Sequence, residues 1–233
     1  MIMCSYLKLL CCRPCPRDWV IIILLTFNTS LAQAQWHGGL SLLSDWVDRG
    51  ISQTANKPAL QGTLSYALPH GLNSKVFISP VEFASGARDI QTDLTLSLSL
   101  PHWHLTPGVT HSLFQRQSAE NNSEWFIDIG LAELTWPWLI SWDAQVATSP
   151  ALPGNPSYIE TRLTIDVGGD WQLITRLGRQ FSDIDAEYYD WETALRLPTD
   201  YGDIGLSYTD TELNDDEFAR ARLTVWWAMS WGE

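Results

Sequence analysis

Beyond residue 15 the chain contains no cysteine. Cys4, Cys11, Cys12 and Cys15 cluster in a way that resembles metal-ligand spacing, but three crowd one five-residue stretch beside two prolines with no histidine near, and they read as leader residues. A disulfide framework is therefore excluded for everything that follows, and the fold must be held by its core or by its solvent. After residue 34 there is no apolar run long enough for a spanning helix. Positive charge is scarce: 14 Lys and Arg face 27 Asp and Glu, a net charge of −13 with pI near 4.6. Such a chain repels phosphate backbones, so no nucleic-acid partner is expected. No Gly-x-Ser-x-Gly nucleophile motif occurs. Of the histidines, His37, His70, His102, His104 and His111, most fall at short turns. His102 and His104 flank Trp103, yet no third ligand stands at metal spacing. The expectation is a protein that is not an enzyme, with no catalytic residues, no metal and no cofactor.

What the N-terminus does contain is a leader. Trp19 to Phe27 is an apolar run preceded by Lys8, Arg13 and Arg17 and followed by Ala32-Gln33-Ala34, a small-x-small cleavage pattern. Residues 1–34 read as a cleaved signal peptide and 35–233 as one domain. The leader carries three basic residues against Asp18 alone, so its removal takes the net charge from −13 to −15.

The rest of the sequence alternates with a period of two. In Ile90–Leu100, Leu94, Leu96, Leu98 and Leu100 share one face, and Asp93, Thr95, Ser97 and Ser99 the other. Tyr158–Gly168 sets Ile159, Leu163, Ile165 and Val167 against Glu160, Arg162, Thr164 and Asp166. No segment sustains a helical period. About twelve such segments are separated by connections that alternate in length. Long ones cover 51–58, 81–89, 115–122, 148–156, 182–187 and 210–216; tight ones fall at 69–71, 101–102, 136–137, 168–169 and 198–202. The pattern predicts an all-β fold: an up-and-down antiparallel transmembrane β-barrel of about twelve strands, both termini on the short-turn, periplasmic side.

Aromatic residues support lipid outside that barrel. Trp36, Tyr66, Trp103, Trp136, Trp138, Trp171, Tyr201, Trp227 and Trp231 fall near the short turns. Trp46, Phe83, Phe114, Trp125, Tyr158, Phe181, Tyr189, Trp191 and Tyr208 fall near the long loops, with aliphatic residues between the two groups. Two girdles around an aliphatic band are expected of a membrane barrel, because Trp and Tyr favour the headgroup level.

One stretch is more specific. Ser44-Asp45-Trp46, Arg49-Gly50-Ile51-Ser52-Gln53-Thr54 and Lys57-Pro58-Ala59-Leu60-Gln61-Gly62 resemble the N-terminal motif of the TorF family of porin-type proteins, known also by its Gcw_chp domain. Weaker similarity continues through Gly202–Asp210. The chain departs from the family pattern at Gly71-Leu72-Asn73, where an aromatic pair is usual, and at Ser79-Pro80. The resemblance implies a Gram-negative outer-membrane barrel and carries over no catalytic residue. It marks Asp45, Arg49, Gly50, Lys57, Pro58, Gln61 and Gly62 as motif positions. Locally, Ser44 to Gly50 reads as the first strand running outward. Trp46 is then expected in the outer girdle and Asp48 in water, with Arg49 pairing with Asp45 or reaching into the first loop.

By parity the inward face is polar and mixed in sign. Acidic candidates are Asp93, Glu124, Asp128, Asp143, Glu160, Asp166, Asp190 and Glu192; basic ones are Lys75, Arg162, Arg176, Arg196, Arg220 and Arg222. Charges in a lumen must be hydrated or paired. A water-filled lumen with an acidic excess gives passive diffusion of small polar or cationic solutes. A dense ion-pair network gives instead a non-conducting structural or surface-interaction barrel. The partners expected are outer-membrane lipid, small polar solutes and, during biogenesis, the barrel-assembly machinery.

Overall fold

Strict alternation leaves each strand with one apolar and one polar face, and closing the sheet removes every unpaired edge. A computed structural model, describing residues 35–132, 138–184, 186–213 and 216–232, shows this closure. The expected signal peptide, 1–34, and Trp136 lie outside the described residues. The strands are β1 (Gln35–Leu43), β4 (Ala59–Ala67), β5 (Leu72–Glu82), β6 (Arg88–Leu98), β7 (Leu105–Phe114), β8 (Asn122–Ala132), β9 (Leu139–Thr148), β10 (Ser157–Gly168), β11 (Trp171–Phe181), β12 (Tyr188–Thr199), β13 (Gly202–Thr211) and β14 (Arg222–Trp231). Each pairs antiparallel with its neighbours, and β1 closes the ring on β14, with Leu40 opposite Met229 and Ser41 opposite Ala228. Twelve strands is the expected number. Two further strands, β2 (Val47–Asp48) and β3 (Ile51–Ser52), form a small hairpin between β1 and β4.

The distribution of side chains is inverted relative to a protein packed around an apolar centre. Leu40, Leu64, Ile78, Leu94, Ile127, Val146, Ile159, Leu177, Leu206 and Val225 are exposed on the outside. Among buried residues Asp45, Ser79, Arg176, Asp190 and Thr209 are polar. Aromatic residues ring both ends of the outer band. Trp36 packs on Tyr66 at 4.4 Å near the short connections, where Trp138, Trp171 and Trp231 are also exposed. Trp191 packs on Tyr208 at 5.1 Å near the long ones, with Trp125 and Tyr189 exposed at that end.

Three members of the expected upper girdle point inward instead. Phe114 shares the face of Thr110 and Ser112 and packs edge-on against Phe83 at 5.4 Å. Tyr158 shares the face of Glu160 and is 1% exposed. Trp46 lies inside, edge-on to the inward-facing Phe77 at 5.4 Å. The strand expected over Ser44–Gly50 is also corrected: β1 ends at Leu43, and the chain turns into the barrel. Further on, two positive backbone angles in succession, φ 48° at Arg49 and 79° at Gly50, form the two-residue turn between β2 and β3, which an extended strand cannot contain.

Candidate functional site

The family-type motif builds a constriction. Asp45, 6% exposed, is its centre: its Oδ1 accepts Ser52 Oγ at 2.6 Å and Thr54 Oγ1 at 2.8 Å, while Oδ2 pairs with Arg222 Nη1 at 3.0 Å. Arg222 also donates to the Phe218 carbonyl. The Ser52 amide donates to that same carbonyl at 2.7 Å, so the β2–β3 hairpin is tied to the base of the last long loop. The Trp46 amide donates to Thr54 Oγ1 at 3.1 Å, and the Gln53 amide to the Trp46 carbonyl at 2.7 Å. Gly50 is buried against β12 and β13, where an added Cβ would overlap Thr211 Cγ2 and lie 2.8 Å from Asp190 Cβ.

From this hairpin Arg49 crosses the lumen. Its Nη2 pairs with Glu124 Oε1 of β8 at 2.7 Å, and its guanidinium lies over the Tyr158 ring at 4.4 Å. Burial works against its charge, but the Asp48 and Glu124 carboxylates outweigh that and hold its pKa above the ordinary guanidinium value. Arg49 thus pairs with neither Asp45 nor its own loop. The remaining motif residues act at the rim and wall. Lys57 Nζ meets Glu82 at 2.6 Å, and Arg88 Nε meets the same carboxylate at 3.0 Å. Pro58 precedes β4, Gln61 Nε2 donates to Ser79 Oγ at 3.1 Å, and Gly62 faces outward between Leu40 and Ile78, where an added Cβ would lie 3.9 Å from Leu40 Cδ2. Nothing in the structure explains why Gly62 is glycine.

The wall of β10 to β14 is locked by ion pairs. Arg176, 7% exposed, pairs with Asp190 at 2.8 Å, Glu160 at 3.3 Å and Glu192 at 3.4 Å, and donates to Tyr158 Oη at 2.7 Å. Tyr158 Oη donates in turn to Asp190 Oδ2 at 2.8 Å. Both groups press onto Gly178, where a Cβ would collide with the tyrosine oxygen. Arg162 adds a contact to Glu160 at 3.2 Å, and Arg196 pairs with Asp203 at 2.5 Å.

The wall of β5 to β9 differs. Asp93 receives Gln91 Nε2 on both oxygens at 2.9 and 3.1 Å, Asp128 receives Gln145 Nε2 at 2.6 Å, and Asp143 receives Ser141 Oγ at 3.2 Å. None of the three has an ion pair among the described residues. Asp166 serves the tight turn, accepting the Gly168 amide at 2.8 Å. Arg220 is the misplaced candidate: it is exposed in the loop before β14, because the inward alternation begins only at Arg222. Three cavities lie inside the barrel among the described residues. One of about 590 Å³ lies between the hairpin and the acidic wall; one of about 1030 Å³ opens at the short-connection end around His37, Ser65 and Asp203; a smaller one of about 200 Å³ runs beside Val47 and Glu192.

By strand register the charged candidates of β5 to β14 lie on the inward face except Arg220, and Phe77, Phe114 and Tyr158 share that face. What parity did not reveal is that Arg49 meets Tyr158 inside the barrel and that Trp46 packs there on Phe77. The face of Tyr158 was nonetheless signalled by its alternation with Glu160.

A family model described as "Bacterial protein of unknown function (Gcw_chp)" matches residues 30–228. No curated protein matches the sequence. A solved structure of OmpTΔL8, a loop L8 deletion mutant of OmpT, an outer membrane protein of Vibrio cholerae, is similar over 85% of this chain and 99% of that chain. Its identity is 8% and its TM-score 0.37, a likeness that carries no argument.

Proposed function

The chain belongs to the Gcw_chp family, and from that premise we propose that it is an outer-membrane channel for passive diffusion of small polar or cationic solutes. The observation that carries this is the asymmetry of the lumen. One wall has its charges paired by Arg176, Arg196 and Arg222. The other presents Asp93, Asp128 and Asp143 with neutral hydrogen-bond donors and no ion pair among the described residues; with Lys75 on the same wall an acidic excess remains, and Asp93 borders the cavity of about 590 Å³. The outward aliphatic band between aromatic rings supports lipid as the surrounding solvent, since no aqueous surface favours so continuous an apolar face. In this reading residues 1–34 are the export signal, both termini face the periplasm, and the first loop is a built-in constriction.

A second reading has an observation of its own. Arg176 with three carboxylates, and Asp45 with Arg222, tie the hairpin and one wall into a network that suits a non-conducting barrel. Single-channel recording of the folded protein in a planar bilayer under a salt gradient separates the two. Discrete steps with a cation-selective reversal potential are expected, and joint Asp93→Asn, Asp128→Asn and Asp143→Asn substitution should move that potential toward zero. Silence from protein shown to be inserted would leave the structural barrel. Glu160 and Glu192 are poor first targets, since both are committed to Arg176.

A further inference from the structure

The cavity of about 590 Å³ between the β2–β3 hairpin and the acidic wall has a lining that a plain water passage does not require. Lys75 of β5 faces into it, is exposed there, and forms no hydrogen bond or ion pair with a described residue. Asp93 of β6 stands one pair further along, directly opposite Phe77, while Lys75 stands opposite Thr95. Diagonal neighbours of this kind sit about 7–8 Å apart, within reach of each other's long side chains. Yet no ion pair closes between them: the carboxylate accepts from the amide of Gln91, and the ammonium, near enough for its charge to act on Asp93, makes no hydrogen bond with a described residue. Arg49 and Glu124, which also border the cavity, neutralise each other. The charge of Asp48 also acts on Arg49, and the groups of the cavity without a direct ion pair among the described residues are the ammonium of Lys75 and the carboxylates of Asp93 and Asp48, of which Asp48 lies on the hairpin side. Between them stands apolar surface: Phe77, Trp46 edge-on to it at 5.4 Å, and Phe114.

We propose that this cavity binds an α-amino acid with an apolar side chain, its carboxylate on Lys75, its ammonium on Asp93 and Asp48, and its side chain against Phe77 and Trp46. The inference rests on the channel reading for its physiological sense, because it names the solute class that the constriction would hold. A zwitterion is what such a separated pair selects. A simple cation meets the Lys75 charge, and a simple anion meets two carboxylates. The aromatic surface supplies the part of the binding energy that is indifferent to charge.

The test is calorimetric titration of the folded full-length protein in detergent with L-leucine, leucinamide and 4-methylpentanoate, alongside bilayer recording. Saturable L-leucine binding is expected, with leucinamide and 4-methylpentanoate each at least roughly tenfold weaker, about 1.4 kcal/mol. Lys75→Met should erase the preference for leucine over leucinamide, and Asp93→Asn should narrow that over 4-methylpentanoate. Both variants keep the cross-lumen Arg49–Glu124 pair, and retention of heat-modifiable migration certifies their folding. Absence of saturable L-leucine binding by the folded wild-type protein, up to the solubility of leucine, overturns the proposal, as does equal binding of leucinamide. Conductance without leucine binding removes the site and leaves the channel; leucine binding without conductance does the reverse.

Discussion

Asp45 concentrates more of the local structure than any other residue of the motif. It is buried, accepts two hydroxyl hydrogen bonds and neutralises Arg222. Asp45→Ala leaves a buried guanidinium without its carboxylate and frees Ser52 and Thr54 together. A loss of about 3–5 kcal/mol is expected by chemical unfolding of the protein in lipid vesicles. Asp45→Asn retains the acceptor but not the charge and should cost less. Gly50 makes a different demand, geometric rather than electrostatic. Its φ of 79° and its closeness to Thr211 and Asp190 leave no place for a side chain. Gly50→Ala should destabilise by on the order of 1–3 kcal/mol in the same assay, and a variant as stable as wild type would contradict the packing described.

At the scale of the element, the β2–β3 hairpin is a short segment whose own two-residue strands could not stand alone. It is held from three sides: by Arg222 through Asp45, by the Phe218 carbonyl through Ser52, and by Glu124 through Arg49. These ties are unequal. The Arg49–Glu124 pair is about a quarter exposed on each side and spans the lumen. Removing it should therefore cost less than breaking the more deeply buried Asp45–Arg222 pair while widening the passage. Arg49→Ala is expected to raise single-channel conductance with a smaller drop in unfolding midpoint than Asp45→Ala. An unchanged conductance in a variant that still conducts would mean that the hairpin does not limit flow.

The whole molecule is organised by which solvent each face meets. Leu206 sits mid-strand on the outer face, opposite Leu195 and Val225. Ser65 lies on the lumen face of β4 and borders the larger cavity. If lipid surrounds the barrel, Leu206→Arg should cost about 2–4 kcal/mol in vesicles, and Ser65→Arg much less. Equal costs would argue against a membrane midplane at Leu206. The closed ring of twelve strands also predicts that unboiled protein migrates faster than boiled protein on a detergent gel, because no edge offers a starting point for opening.

Strand number and the faces of the charged residues followed from alternation and loop lengths, whereas Trp46, Phe114 and Tyr158, expected in the lipid girdle, face inward. Side-chain period and sheet face are the same property, so Asp93, Asp128, Glu160 and Arg176 were legible as lumen residues before any coordinate. The motif at 44–62 announced itself as special, but its shape did not. The chain leaves β1 at Leu43, reverses between β2 and β3 through two consecutive positive φ angles at Arg49-Gly50, and is held there by Arg222, Glu124 and Tyr158. Those partners lie 75 to 177 residues away in sequence. The sequence by itself determined the wall, because a wall is a repeat of local pairs. What fills the wall was decided by tertiary structure, because a constriction is made of contacts across a closed ring, which no local period encodes.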